Sequence, residues 1–249
     1  MKNSVFKWLL PIIVVVLFFA AVNHALQRWV ILPSFITLEQ DQAEEELQRV
    51  IDAIKREVEH IELLSGDWAV WDDTYAFVQD KDKDKNKEYI DSNLVWETLE
   101  SSSGINLLFF YNNQNKVVWG GVFDPAQGGL VNVNEFPQHD ATLVQGLMQH
   151  DDVDSSITGI IDSSEGPILI SSKPVITSRG EGPIMGTLLM GRFLSRALLE
   201  KMSAQTRVNF TASSLSSIKP SDEMFSHFNH LHEGESNIRE IDENALEID

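Results

Sequence analysis

The sequence predicts an α+β protein in which a membrane-length apolar segment and a long amino-terminal helix lead into an antiparallel sheet. Three observations carry that expectation. From Trp8 to Val22 every residue is apolar, behind Lys2 and Lys7. Leu47, Ile54, Ile61 and Trp68 then recur every seven residues, accompanied by Ile51 and Val58, as a helix with one apolar stripe requires. From Ile157 to Phe193 short β-prone runs are separated by Ser-Ser, Gly-Pro and Arg-Gly-Glu-Gly turn signals.

In chain order, residues 1–7 read as a cytoplasmic amino terminus and residues 8–27 as a transmembrane helix. The apolar span reaches the roughly 20 residues a bilayer demands. Gln27, Arg28 and Trp29 suit the interface, and no small-x-small cleavage site follows, so an uncleaved anchor is preferred to a signal peptide. Residues 34–65 are expected as a linker helix about 45 Å long. Its stripe is expected to serve its own sheet and a parallel dimer seam at different heights of the helix. Residues 66–212 are expected as a folded domain and 213–249 as a polar acidic tail.

Within the domain, Asp80 to Glu88 alternates in charge and reads as a solvated loop. Its calcium-like spacing of Asp80, Asp82 and Asp84 fails because Lys85 stands where a calcium loop needs glycine. Tyr89 to Leu99 reads as one short helix. Ile105–Tyr111 and Lys116–Val122 read as a hairpin turned by Asn112 to Asn115, with Gly120-Gly121 starting a loop and Asp140–His150 another helix. Strands are expected at 158–161, 167–171, 175–177 and 184–193, then a helix over Ser195–Ser203 and a strand at Val208–Phe210. His139 and His150 read as exposed polar positions.

The 249 residues, 43% hydrophobic and 23% charged, are enough for one domain with accessory segments. A net charge of -19 opposes binding to nucleic acid. Without cysteine there is no disulfide, thiolate nucleophile or Cys-ligated metal. No esterase elbow, zinc-protease helix, phosphate loop or dinucleotide fingerprint appears, so no catalytic residue, metal or cofactor is expected and the segment is read as non-enzymatic.

The densest chemistry lies in Gly66-Asp67-Trp68-Ala69-Val70-Trp71-Asp72-Asp73-Thr74-Tyr75. As a helix it would place Trp68, Trp71 and Tyr75 on one face with Asp72 beside them. Two readings stand: an aromatic stripe docked in the core, or a pocket wall. In the second, Trp68, Trp71 and Tyr75 stack on an apolar or cationic ligand, Asp72, Asp73 and Asn93 are polar partners, and Lys173 or Arg192 receives a carboxylate. The plainer roles are an ion pair at a strand end for Arg192 and a cap for Asn93.

The same stretch, extended through Ala76-Phe77-Val78, with Tyr89-Ile90, Asn93-Leu94 and Ile105-Asn106-Leu107, resembles the fourth subfamily of CHASE extracellular sensor domains. Pro167 to Ile170, Lys173 to Ile176, Gly182-Pro183 and Gly186 to Leu194 resemble that family's closing half. The resemblance implies a Cache/PAS-like fold in the periplasm, anchored in the bacterial inner membrane. It also implies a receptor that passes a ligand-induced shift to a diguanylate cyclase, phosphodiesterase or histidine kinase, as in cyclic-di-GMP signalling. Partners are then an unknown small-molecule ligand, the membrane and a second copy in a homodimer. Asn113-Gln114-Asn115 replaces the family's usual Asp-Gly turn, and Lys173 stands where arginine is common. The competing reading is an anchored periplasmic protein that binds a protein partner without a small molecule.

Overall fold

The computed structural model describes residues 2–136, 146–212, 238–242 and 245–248, with residues 2–10 and the last two segments described as backbone only. Two compact units divide the chain, Met1–Arg49 with Leu231–Asp249, and Val50–His230.

In the first unit α1 (Lys2–Leu26) and a π-helical stretch (Gln27–Ile31) run into α2 (Leu32–Ala69). Every residue from Ile12 to Phe19 is exposed, and the helix that carries them is long and apolar enough to cross a membrane by length and composition. Near the other end of the chain β7 (Ile238–Asp242) pairs antiparallel with β8 (Ala245–Ile248), two strands that the polar composition did not foretell.

In the second unit α2 does not present the expected heptad face. The row turned to the sheet is Ala53, Glu57, Ile61, Ser65 and Ala69, four residues apart. Of these, Ala53, Ile61, Ser65 and Ala69 are 0–3% exposed, while Ile54, Val58 and Trp68 flank them half-buried. Small side chains let the backbone approach closely, and the Ser65 and Ser171 hydroxyls lie 2.7 Å apart across the contact.

The helix stops at Ala69, where Ile176 N–H donates to the Ala69 carbonyl and Val70 makes a parallel bridge to Ile176. Trp71 is extended, and α3 (Asp72–Phe77) starts afresh with two aspartates in its first turn, where the helix dipole favours them. Gly66 to Tyr75 is therefore not one helix. The charged stretch is helical from Lys83: Asp82 caps α4 (Lys83–Asn93) by accepting from Asp84 N–H and Lys85 N–H. The single helix expected over Tyr89–Leu99 is two, because α4 ends before Leu94 and α5 (Trp96–Ser103) begins after Val95.

Six antiparallel strands follow: β1 (Leu107–Asn112), β2 (Val117–Asp124), β3 (Gly129–Val131), β4 (Ile157–Ser163), β5 (Gly166–Val175) and β6 (Gly186–Phe193), in the order β3-β2-β1-β6-β5-β4. The expected hairpin is β1–β2. Asn112 accepts from Gln114 N–H and Lys116 N–H, and Asn115 adopts the left-handed conformation. The expected meander is β4–β5–β6, but 175–177 is no separate strand, and Val208–Phe210 is irregular. Gly120 and Gly121 lie inside β2. Gly120 has φ +150°, and a Cβ there would stand 2.4 Å from the Leu108 carbonyl; Gly121 leaves room for Leu130 and for Trp96 of α5. Trp96 lies 5.2 Å from Trp119 and 6.0 Å from Phe123, stacked on both.

Both sheet faces are covered. Leu108, Phe110, Leu169, Leu188 and Met190 pack with α2 to α5 and with Leu198 and Met202 of α6 (Arg196–Thr206). Leu107, Phe109, Tyr111, Ile168, Ile170 and Leu189 meet Val133, Phe136 and Met148 from the β3–β4 connection. Burying each such large apolar side chain contributes about 1.5–3 kcal/mol. Ser195, at the start of the expected Ser195–Ser203 helix, caps α6 through Leu198 N–H. Most of the helix expected over Asp140–His150, His139 and the tail from 213 to 237 lie outside the described residues.

Candidate functional site

The aromatics of the Gly66–Tyr75 stretch border the core, and one of them meets another ring. Trp71 sits 5.6 Å from Tyr89, which stacks on Phe77 at 4.4 Å, and Phe77 meets Phe110 edge-on at 5.2 Å. Thr74 Oγ1 is 2.7 Å from the Tyr89 hydroxyl, whose pKa burial pushes up to about 12. Trp68, Trp71 and Tyr75 are half-buried against this same cluster. Asp72 and Asp73 are exposed; Asp72 bonds to Ser178 in the β5–β6 connection. Asn93 donates to the Tyr89 carbonyl one turn back.

Lys173 and Arg192 are held elsewhere, on the sheet face that carries α2. Leu169 of β5 pairs with Arg192, so Lys173, four residues further along β5, lies about 13 Å away along the strand. Each finds an acid on α2. Lys173 Nζ is 2.9 Å from Glu62 Oε1, and the Glu62 carboxyl is held below its ordinary pKa by the Ser156 hydroxyl first and then by Lys173. Arg192 Nη1 is 2.6 Å from Glu57 Oε2, with side chains 10% and 14% exposed.

Arg192 has further work in the same place. Its Nε donates to the Gly104 carbonyl at 3.2 Å and its Nη2 to the Ser103 carbonyl, satisfying the open end of α5. Gly104 is left-handed at φ +67°, and a Cβ there would fall 2.8 Å from Arg192 Nε. Burial lowers the Arg192 pKa, and Glu57 opposes that shift. Lys201 of α6 adds a looser contact, 3.8 Å from Glu57 Oε1. Around these groups opens a cleft of about 830 Å³, with Glu57, His60, Ser103, Arg192, Leu198 and Lys201 in its lining. Of the eight residues expected to bind ligand, Arg192 alone lines it. Glu57 is a residue of this site that the sequence reading did not single out. Its signal in the sequence is its register, four residues from both Ala53 and Ile61.

On the opposite face His150, expected to be exposed, is half-buried. Its Nδ1 meets the Ser155 hydroxyl and its Nε2 the Ser172 hydroxyl at 3.0 Å. Burial first, then Lys173, lowers its pKa. The Tyr111 hydroxyl is buried there without a hydrogen-bond partner among the described residues, and burial pushes its pKa up.

The chain is similar to known proteins. It is 30% identical over 159 residues to the methanogenesis regulatory histidine kinase FilI of Methanothrix harundinacea, an alignment covering 63% of this chain and 16% of that protein's length. Two crystal structures of the Vibrio cholerae LuxQ periplasmic domain, one with selenomethionine, align at a TM-score of 0.43 and 14% identity. They cover 72% of this chain and 80% and 81% of theirs. The CHASE4 domain matches residues 53–213, and the chain belongs to that family of sensor domains.

Proposed function

We propose that the protein is the ligand-sensing input of a membrane-anchored receptor, lying outside the cytoplasmic membrane and passing a ligand-induced shift to an output module inside. The carrying observation is the cleft of about 830 Å³ whose lining includes both Glu57 of α2 and Arg192 of β6. An occupant therefore meets helix and sheet at once and can favour one arrangement of the two over another. The exposed apolar residues Ile12 to Phe19 support a membrane anchor, and the kinase among its relatives supports a histidine-kinase output. On this reading the segment's work is binding.

Thermal-shift screening of the full chain in detergent, against amino acids, polyamines, organic acids and sugars, tests this. A ligand of the cleft raises the melting temperature by mass action, and Ala197→Trp, which fills the cleft wall, removes the effect. A hit that survives Ala197→Trp and is lost in a Trp71→Ala, Asp72→Ala double variant moves the site to the aromatic cluster. No hit in the whole screen counts against ligand sensing.

A further inference from the structure

We propose that Glu57 is the positioning residue that couples α6 to α2 and the sheet, and that its bond to Lys201 is the limb that opens when the domain changes state. One carboxylate divides its two oxygens between two elements. Oε2 takes Arg192 of β6 at 2.6 Å, and Oε1 takes Lys201 of α6 at 3.8 Å. The limbs are unequal. The Arg192 side chain is 10% exposed and also grips the Ser103 and Gly104 carbonyls, whereas the Lys201 side chain is 60% exposed. A short, dry ion pair with supporting hydrogen bonds is costly to break, and a long, wet one is not. The helix is thus fixed to the sheet, while α6 is the element released first.

Two further facts fit this assignment. Leu198 and Met202 hold α6 in the core at 8% and 0% exposure, so loss of the Lys201 limb permits a pivot rather than detachment. Glu57 and Lys201 both line the cleft, so an occupant bearing either charge competes for one of them. The purpose of the device rests on the sensor reading. Its existence does not, because the distances below are measured without ligand.

The chain has no cysteine, so spin labels can be placed on the full protein without removing native thiols. One pair, Lys55→Cys with Gln205→Cys, spans α2 and α6; a control pair, Asn113→Cys with Thr158→Cys, spans the sheet. Pulsed-electron-resonance distances are then compared in the parent, in Glu57→Gln and in Lys201→Met. The expected result is a distribution for the first pair that widens by about twofold or more in Glu57→Gln and by less in Lys201→Met, with the control unchanged. Lys201→Met alters one exposed side chain, so it answers even where Glu57→Gln fails to fold. An unchanged first pair in Lys201→Met, or equal broadening of both pairs, overturns the proposal.

Discussion

Asp72 and Ser178 hold one another through a reciprocal pair of hydrogen bonds, each 2.9 Å long: Asp72 N–H donates to Ser178 Oγ, and Ser178 N–H donates to Asp72 Oδ1. They lie 106 positions apart in the chain. The pair pins the start of α3 to the β5–β6 connection, beside the point where α2 meets Ile176.

Asp72→Ala removes one of these bonds and leaves the Ser178 N–H without its acceptor. A net loss of about 1 kcal/mol is expected for such a bond, or about 2–4 °C in melting temperature for a domain of this size. Asp72→Asn keeps the acceptor oxygen and should melt close to the parent. A calorimetric scan of the three proteins checks the order.

Tyr89 and Tyr111 should respond oppositely to loss of the hydroxyl. Tyr89→Phe strands the fully buried Thr74 hydroxyl and is expected to cost about 1–3 kcal/mol. Tyr111→Phe deletes a buried hydroxyl that has no partner among the described residues, and should be neutral or stabilising by about 1 kcal/mol. Urea titration at a shared slope measures both.

Gly120→Ala should be far worse than its size suggests. The new Cβ would meet the Leu108 carbonyl at 2.4 Å and Phe109 Cα at 2.6 Å, both backbone atoms of a central strand, at a φ of +150°. A loss of about 3 kcal/mol or more is expected. Gly128→Ala, at φ +65° with nothing within 4 Å, should cost about 1 kcal/mol. Expression yield and chemical denaturation separate the two.

Acid should destabilise the domain in two stages. The folded-state pKa of His150 lies below its ordinary 6.5, so the unfolded chain binds the proton more readily. Its contribution is complete above 6.5 and is lost as pH falls from there toward the folded value. Glu62 also has a folded pKa below its ordinary 4.5, and its contribution, present above 4.5, is lost as pH falls through that lower value. Melting temperatures from about pH 8 to about pH 2 should show both stages. His150→Gln should lack the first and keep the second, and Glu62→Gln should do the reverse. A His150→Gln profile identical to the parent's refutes the assignment.

Local patterning carried a large part of this protein into view. The apolar run after Lys7, the polar turn at Asn112 to Asn115, the Ser195 cap and the β-rich stretch from Ile157 each declare an element through neighbouring residues alone, and together they predict the α+β class. The Gly66–Tyr75 and Gly186–Leu194 motifs likewise carried the family. What no local pattern specifies is the partner across the fold. Trp71 is extended because α2 ends against Ile176, and Gly121 sits in a strand because Trp96 covers it. Glu57 turns inward because Arg192, 135 positions away, waits there with a compensating charge. A carboxylate on a helix reads as a wet position unless its register matches the buried row and a cation meets it. The register is legible in the sequence, and only the tertiary structure supplies the cation.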